Sequence, residues 1–288
     1  MGFRSLFFRN KSFRGNELFI KERAPIRGSL CAEVFAFEEK VSGEHGYMES
    51  GKGKAIIFCP GLYGSIYNIS DVGTQLSKHY RFIVPYLPMY DMPLSDCTIP
   101  SLANYLDLFV KELKLKEAVF IGSSMGGGTL LHYAQMKDHI IRGLVLCGSS
   151  GLSTIPMQKG FFKRKDYSFI KKATQDVFFD PNIPSDDMIK EVFDAIQNYE
   201  IVLRSIRFTK STAKDQMHNV LPNIQVPSLL IWGKQDQITP PEVGKRFKDL
   251  LPNAELHYID KCGHVPTQEH PDQVSELIDS FLQKIKYT

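Results

Sequence analysis

Ala118-Val119-Phe120-Ile121-Gly122-Ser123-Ser124-Met125-Gly126-Gly127-Gly128-Thr129-Leu130-Leu131-His132-Tyr133-Ala134 is the stretch around which the chain is organised. Its first four residues form a short apolar run of the kind that makes a strand covered on both faces. From Gly127 it reads as the start of a helix. Between the two lies the pattern Gly-x-Ser-x-Gly, from Gly122 to Gly126. A strand that turns at once into a helix leaves the middle residue on a strained, exposed bend, and glycines beside it let neighbouring backbone approach. This is a nucleophile elbow with Ser124 at its tip. Five residues occur by chance in many chains; the strand before and the helix after give the pattern its weight.

Outward from the elbow the same alternation continues. Residues 32–41 alternate apolar and polar, as a half-exposed strand does. Residues 47–54 read as a strand ending in a glycine turn. Residues 55–59 are a continuous apolar strand and 81–85 the next buried one, and 141–147, 227–233 and 255–259 read as further strands. Helices are expected near 68–79, 101–114, 242–251 and 271–286, the second with Leu102, Tyr105, Leu106, Phe109 and Leu113 on one face. Such a βαβα rhythm predicts an α/β fold with a mainly parallel central sheet and helices on both faces. The rhythm breaks over 151–215. There Ile189, Val192, Phe193, Ile196 and Tyr199 fall at helical spacing, and Phe161, Phe162, Phe169, Phe178 and Phe179 cluster. This is the pattern of a helical cap inserted into one core, the core being 31–150 and 216–288. Residues 1–30 form a basic, aromatic arm, read as packed on the domain or as a tail. A lipid-touching surface is the alternative, although stable anchoring normally takes two signals.

Length and composition bound the function. A chain of 288 residues can bury a large core. Its formal charge of +3 gives no argument for nucleic acid, where a strongly basic domain is expected. No apolar run reaches the roughly 20 residues of a membrane span. The N-terminus lacks the h-region of a signal peptide, and Leu6 breaks the myristoylation pattern. Cys31, Cys59, Cys97, Cys147 and Cys262 are odd in number and lack metal-ligand spacing, which reads as reduced thiols in a cytoplasmic protein. The expected partner is a small molecule, with no nucleic acid and no stable membrane insertion.

A serine hydroxyl needs a general base, and the base needs a group that holds its tautomer. Two candidates follow the elbow at strand ends. Asp236 lies in Trp232-Gly233-Lys234-Gln235-Asp236, and His264 in Cys262-Gly263-His264-Val265-Pro266. Asp236 is equally readable as a turn residue until His264 is set beside it. The other histidines considered, His132, His257 and His270, sit in helical or strand stretches and read as structural. An oxyanion hole takes two backbone N–H groups. One is expected from Met125. The other is expected from Cys59-Pro60-Gly61-Leu62-Tyr63-Gly64-Ser65, with Leu62 first and Tyr63 second.

With these residues in place, the chain resembles the α/β-hydrolase superfamily with a helical cap over about residues 45–286. It is similar to the branch of small-molecule esterases, carbon–carbon bond hydrolases of ring-cleavage products and cofactor-free haloperoxidases. The resemblance rests on Tyr47–Gly53, Gly61–Ser65, Gly122–Gly127, Trp232–Asp236 with Pro240, and Gly263-His264 followed by Glu269-His270-Pro271. It implies Ser124, Asp236 and His264 as a triad, with no metal and no cofactor. Two segments depart from the family. Cys59-Pro60 stands where a loop-ordering histidine is common. Tyr86-Leu87-Pro88-Met89-Tyr90-Asp91-Met92-Pro93-Leu94-Ser95 has lost two usual glycines. That loop is expected either to line the pocket with Met89, Tyr90 and Met92 or to be repacked surface. Tyr63, Met89, Tyr90, Phe161 and Phe162 are the substrate-binding candidates.

Three functions compete. The first is a carboxylesterase-like serine hydrolase of a small to medium, largely apolar ester or thioester, with a carrier-bound acyl group as a variant. The second hydrolyses a carbon–carbon bond in a vinylogous diketone, for which a cationic pocket drawn from Lys159, Lys163, Arg164, Lys165, Lys171 and Lys172 would speak. The third is a low-turnover binding protein on the same fold.

Overall fold

The computed structural model describes residues 37–64, 69–152, 163–215 and 217–288. The arm of residues 1–30, the start of the strand expected from 32, and Phe161 and Phe162 lie outside the described residues. The described strands are β1 Glu38–Ser42, β2 His45–Ser50, β3 Ala55–Cys59, β4 Arg81–Pro85, β5 Ala118–Ser123, β6 Ile141–Cys147, β7 Ser228–Gly233 and β8 Ala254–Ile259. They form one sheet in the order β1-β2-β4-β3-β5-β6-β7-β8. β1 and β2 pair antiparallel with each other, and β2 with β4; every other neighbouring pair is parallel. The expected mainly parallel sheet is therefore present.

The helices are α1 Ser70–Leu76, α2 Ile99–Glu112, α3 Met125–Lys137, α4 Tyr167–Gln175, α5 Asp186–Gln197, α6 Tyr199–Lys214, α7 Pro241–Leu250, α8 Pro266–Glu269 and α9 Pro271–Lys284. Continuous apolar strands are explained by burial on both faces. Ile57, Phe120, Leu144, Leu146, Leu230 and Trp232 pack on one side with Leu102, Leu106 and Phe109 of α2, Leu130 and Leu131 of α3 and Phe247 of α7. Their strand neighbours Ile56, Phe58, Val119, Ile121, Val145, Leu229 and Ile231 pack on the other, against Val72 and Leu76 of α1 and Val274, Ile278 and Phe281 of α9.

Helix ends differ from the sequence reading for local reasons. α2 begins at Ile99 rather than Ser101. The Thr98 hydroxyl accepts the Ser101 N–H at 3.3 Å, and Pro100 occupies the first turn, where its missing N–H costs nothing. α1 is shorter than 68–79, because the N–H groups of Lys78 and His79 turn back onto the carbonyls of Gln75 and Leu76.

Between β6 and β7 the chain builds α4, α5 and α6. Their inner faces form a small cluster of Ile170, Ile196 and Val202, with Phe169, Val192, Phe193, Ile206 and Tyr63 packed against it. Phe169 thus serves the insertion's own core, Phe178 is buried, and Phe179 is exposed.

Candidate active site

Ser124 sits between β5 and α3 with φ +52°, the left-handed region that an L-residue enters only at a cost. Backbone hydrogen bonds hold it there. Its N–H donates to the Cys147 carbonyl at 3.0 Å, and its carbonyl accepts from Gly127 at 3.0 Å and Ser150 at 3.0 Å. A Cβ on Gly126 would lie 2.0 Å from the Cys59 carbonyl oxygen, so glycine there is what lets α3 start directly beneath the loop after β3. The Met125 N–H opens the first turn of α3, where no intrahelical acceptor exists.

Asp236 and His264 follow β7 and β8, and both are buried. The structure brings them together: Asp236 Oδ2 lies 2.9 Å from His264 Nδ1. The carboxylate is fixed from its other side. Oδ1 accepts the N–H groups of Ile238 at 2.8 Å and Thr239 at 2.9 Å, and Oδ2 accepts the Thr239 hydroxyl at 2.8 Å. An ionised carboxylate only accepts hydrogen bonds, so the neutral ring carries its proton on Nδ1 and keeps a lone pair on Nε2. That is the tautomer of a general base. The end of β6 joins this pair to the elbow. Ser124 is bonded to Cys147, and the next residue, Gly148 (φ +51°), is so close that a Cβ would lie 3.2 Å from both Asp236 Oδ2 and His264 Nδ1.

The loop after β3 passes against Ser124, since a Cβ on Gly61 would stand 3.7 Å from Ser124 Oγ. The loop is a four-residue turn closed by the Gly64 N–H on the Gly61 carbonyl at 3.0 Å. Tyr63, third in the turn, has φ +57°. Its N–H donates to the Tyr90 hydroxyl at 2.9 Å, and its own hydroxyl donates to Ser205 Oγ on α6 at 2.9 Å. The two expected donors are thereby separated. The Tyr63 N–H is engaged, whereas the N–H groups of Leu62 and Met125 find no acceptor among the described residues. Burial pushes both phenols up, Tyr63 to about 12, so both keep their protons at neutral pH.

The altered loop after β4 packs against the core. Met89 is buried in the main core, with Tyr90 and Met92 partly buried against it. Arg204 Nε of α6 donates to the Met92 carbonyl at 2.9 Å, and the Ile99 N–H donates to Ser211 Oγ at 3.0 Å, pinning the segment to the insertion. Of the insertion's cations, Lys171 and Lys172 are spent on surface pairs with Asp186 and Asp176, and Lys163 lies over the Phe169 ring. Among the described residues no group of His, Cys, Asp and Glu side chains is arranged to hold a metal ion. Cys59, Cys97, Cys147 and Cys262 are buried and unpaired, and burial pushes the Cys147 thiol up to about 12. No described helix is long and apolar enough to cross a membrane.

The sequence profile of the family described as alpha/beta hydrolase fold matches residues 54–188 and 191–271. The chain belongs to the α/β-hydrolase family. Among curated relatives of this hydrolase is the uncharacterized hydrolase YugF of Bacillus subtilis, 28% identical over 256 residues that cover 83% of this chain and 93% of that protein. The 2-hydroxy-6-oxo-6-(2'-aminophenyl)hexa-2,4-dienoic acid hydrolase of Metapseudomonas resinovorans is 27% identical, covering 89% of this chain and 93% of its own. Further curated relatives from Comamonas testosteroni and Burkholderia cepacia, 24% identical, are named as 2-hydroxy-6-oxo-6-phenylhexa-2,4-dienoate hydrolases. Among solved structures, the α/β hydrolase enzyme MGS-MChE2, from a sediment metagenome of the Mar Chica lagoon, superposes with a TM-score of 0.71 at 30% identity, covering 86% of this chain and 98% of that one.

Sequence reasoning missed two features of this hydrolase's site. Thr239, which braces Asp236 with both its N–H and its hydroxyl, was readable from its position three residues on, the reach of a side chain that caps its own turn. Glu269 was noted only as part of a family match. It accepts the Gly263 N–H at 2.9 Å beside His264 and the Phe179 N–H of the insertion at 2.8 Å. No period or spacing announces that bridge.

Proposed function

We propose that this hydrolase uses Ser124 as nucleophile, His264 as general base and Asp236 as the group that orients it, with the N–H groups of Leu62 and Met125 as the oxyanion hole. Residues 151–215 act as a cap over the site. Ser124 Oγ adds to a carbonyl carbon as its proton passes to His264 Nε2. The oxyanion is held, and collapse expels the leaving group, which takes the proton back. Water activated by His264 then releases the acyl group as a carboxylic acid. The observation that carries this reading is the buried 2.9 Å contact between Asp236 and His264 Nδ1, which fixes the ring as a base.

The bond we assign is carbon–carbon, beside a ketone conjugated through a diene. The sequence reading put an ester first; the names of the curated relatives support the reverse order. The compounds in those names contain no ester, and hydrolysis next to their 6-oxo group breaks a carbon–carbon bond. Transfer of the 2-hydroxyl proton to C5 first gives the 2-oxo-3-ene tautomer; the electron pair left on C5 by cleavage is then delocalised onto the C2 carbonyl as a dienolate, which makes it a feasible leaving group. Ester hydrolysis is the second reading. It is supported by the apolar side chains of the insertion against which Tyr63 packs, and by Lys171 and Lys172 being held in surface pairs with Asp186 and Asp176. A cytoplasmic setting accompanies both readings, supported by the unpaired thiols of Cys59, Cys97, Cys147 and Cys262 among the described residues.

The test is to mix the protein with 2-hydroxy-6-oxo-6-phenylhexa-2,4-dienoate and, separately, with p-nitrophenyl butyrate. Loss of the dienoate's visible absorbance with wild type and none with Ser124→Ala is expected. Persistence of that absorbance alongside ester turnover would replace the first reading by the second. Inactivity on both, over a panel of chain lengths, would favour the binding protein.

A further inference from the structure

The loop that carries His264 is held through its backbone N–H groups by residues outside it. The Cys262 N–H donates to Gln235 Oε1 at 3.0 Å, and the Gly263 N–H to Glu269 Oε1 at 2.9 Å. The His264 N–H donates to the Val177 carbonyl at 2.8 Å, and the Val265 N–H to Glu269 Oε1 at 3.4 Å. The last two bonds bear directly on the ring. The His264 N–H lies on the Gly263–His264 peptide and the Val265 N–H on the His264–Val265 peptide, so both peptides that flank the His264 Cα are pinned. A residue has only two soft backbone torsions, and with both flanking planes fixed the direction of its Cα–Cβ bond is fixed too.

Glu269 reaches back to this loop from α8. A glutamate near a helix start that accepts the N–H groups before it usually does no more than close that start. Here the second carboxylate oxygen leaves the turn: Oε2 accepts the Phe179 N–H of the insertion at 2.8 Å. Phe179 stands two residues from Val177, whose carbonyl takes the His264 N–H. The approach is close, since a Cβ on Gly263 would lie 2.7 Å from the Val177 carbonyl oxygen and 2.8 Å from the Phe179 nitrogen. Phe178, between them, is buried. The insertion is thus bonded to the main chain of the histidine itself, and Glu269 holds both sides of that seam. We infer that Glu269 is a positioning residue that fixes the backbone of His264, directly through Gly263 and Val265 and indirectly by holding residues 177–179 against it, so that the seating of the insertion helps to aim the general base. Asp236 fixes the ring through Nδ1; Glu269 and Val177 fix it from its root.

This inference rests on the proposed roles of Ser124 and His264, so Ser124→Ala is measured in parallel. The decisive variant is Glu269→Gln. An ionised carboxylate accepts on both oxygens, whereas an amide NH2 accepts nothing, so the variant must release either the His264 loop or Phe179. A misplacement of about 1 Å can cost about a hundredfold in rate; with the Asp236 contact kept, the expected kcat is about tenfold lower and the KM within about twofold of wild type. The substrate is whichever of the two wild type turns over. Labelling of Ser124 by a fluorophosphonate should slow by the same factor, and the low-field proton resonance of His264 Nδ1–H should broaden as the ring gains freedom. A role in folding alone would lower the melting temperature and leave kcat, the labelling rate and that resonance where they were. That result, with Ser124→Ala inactive, overturns the clamp and leaves the serine intact. Full activity in Ser124→Ala overturns the reading beneath it. Should Glu269→Gln not fold, Glu269→Asp decides, because it keeps the charge on a side chain one methylene too short to span both segments. A kcat at least about threefold lower at unchanged KM supports the clamp, and wild-type kcat overturns it.

Discussion

Replacing Asp236 by asparagine should inactivate the enzyme while leaving it folded, and the structure says why. Oδ1 of Asp236 accepts two backbone N–H groups, those of Ile238 and Thr239. An asparagine must place its carbonyl oxygen there, because its NH2 group can accept nothing. The NH2 group is thereby forced into the position of Oδ2, facing His264 Nδ1 and the Thr239 hydroxyl. His264 Nδ1 must then accept, its proton moves to Nε2, and the ring can no longer take a proton from Ser124. A wrong tautomer of this kind costs about ten-thousandfold in turnover, or about 5 kcal/mol of barrier. Folding suffers little. The Thr239 hydroxyl can accept from the new NH2 and turn its own proton to the Gly148 carbonyl, 3.0 Å away. Every polar group keeps a partner, so the change in unfolding free energy stays within about 2 kcal/mol. The assay is kcat/KM on the preferred substrate, beside a urea melt of both proteins. A folded Asp236→Asn variant with more than a tenth of wild-type activity would refute the argument.

Three further outcomes follow from contacts elsewhere. Gly126→Ala should destabilise by more than about 3 kcal/mol, because the new methyl would meet the Cys59 carbonyl backbone at 2.0 Å; a urea midpoint near wild type would contradict this. Glu269→Gln leaves one of the Gly263 and Phe179 N–H groups facing an NH2. It should cost about 1–3 kcal/mol and speed amide exchange at 263–265 and 177–179 together, and unchanged exchange there would count against the bridge. Burial pushes the Glu49 carboxyl up, but the hydrogen bonds from Arg81 and Lys40 outweigh it and hold the group below its usual range. A depressed carboxyl stabilises the fold above its unfolded value and loses that contribution as pH falls through its folded one. Glu49→Gln should therefore be less stable than wild type at pH 7, with the gap closing below about pH 4.3 in a series of melts.

Where burial decides structure, the sequence was legible. β3, β4 and β6 were read to the residue because strands covered on both faces leave continuous apolar runs. The elbow and Asp236 were legible because each follows such a strand, and His264 because it follows the next strand in a glycine-flanked loop. What escaped was long-range and polar. Nothing in a local pattern pairs Tyr63 with Tyr90, 27 positions apart, or with Ser205, 142 positions apart. The phenylalanines misled for a related reason. Composition marks apolar surface but not which apolar surface it meets, and Phe169 meets its own insertion.

In the proposed reaction Ser124 forms a covalent bond to the group it attacks. A fluorophosphonate tests this without knowledge of the substrate, because it reacts with a serine only when a base and an oxyanion hole serve it. Intact mass before and after labelling, with the adduct located by peptide mapping, is the measurement. One adduct per chain, on Ser124, absent from Ser124→Ala and suppressed in Asp236→Asn, is the predicted result. No adduct on wild type, or labelling that survives in Ser124→Ala, would contradict it.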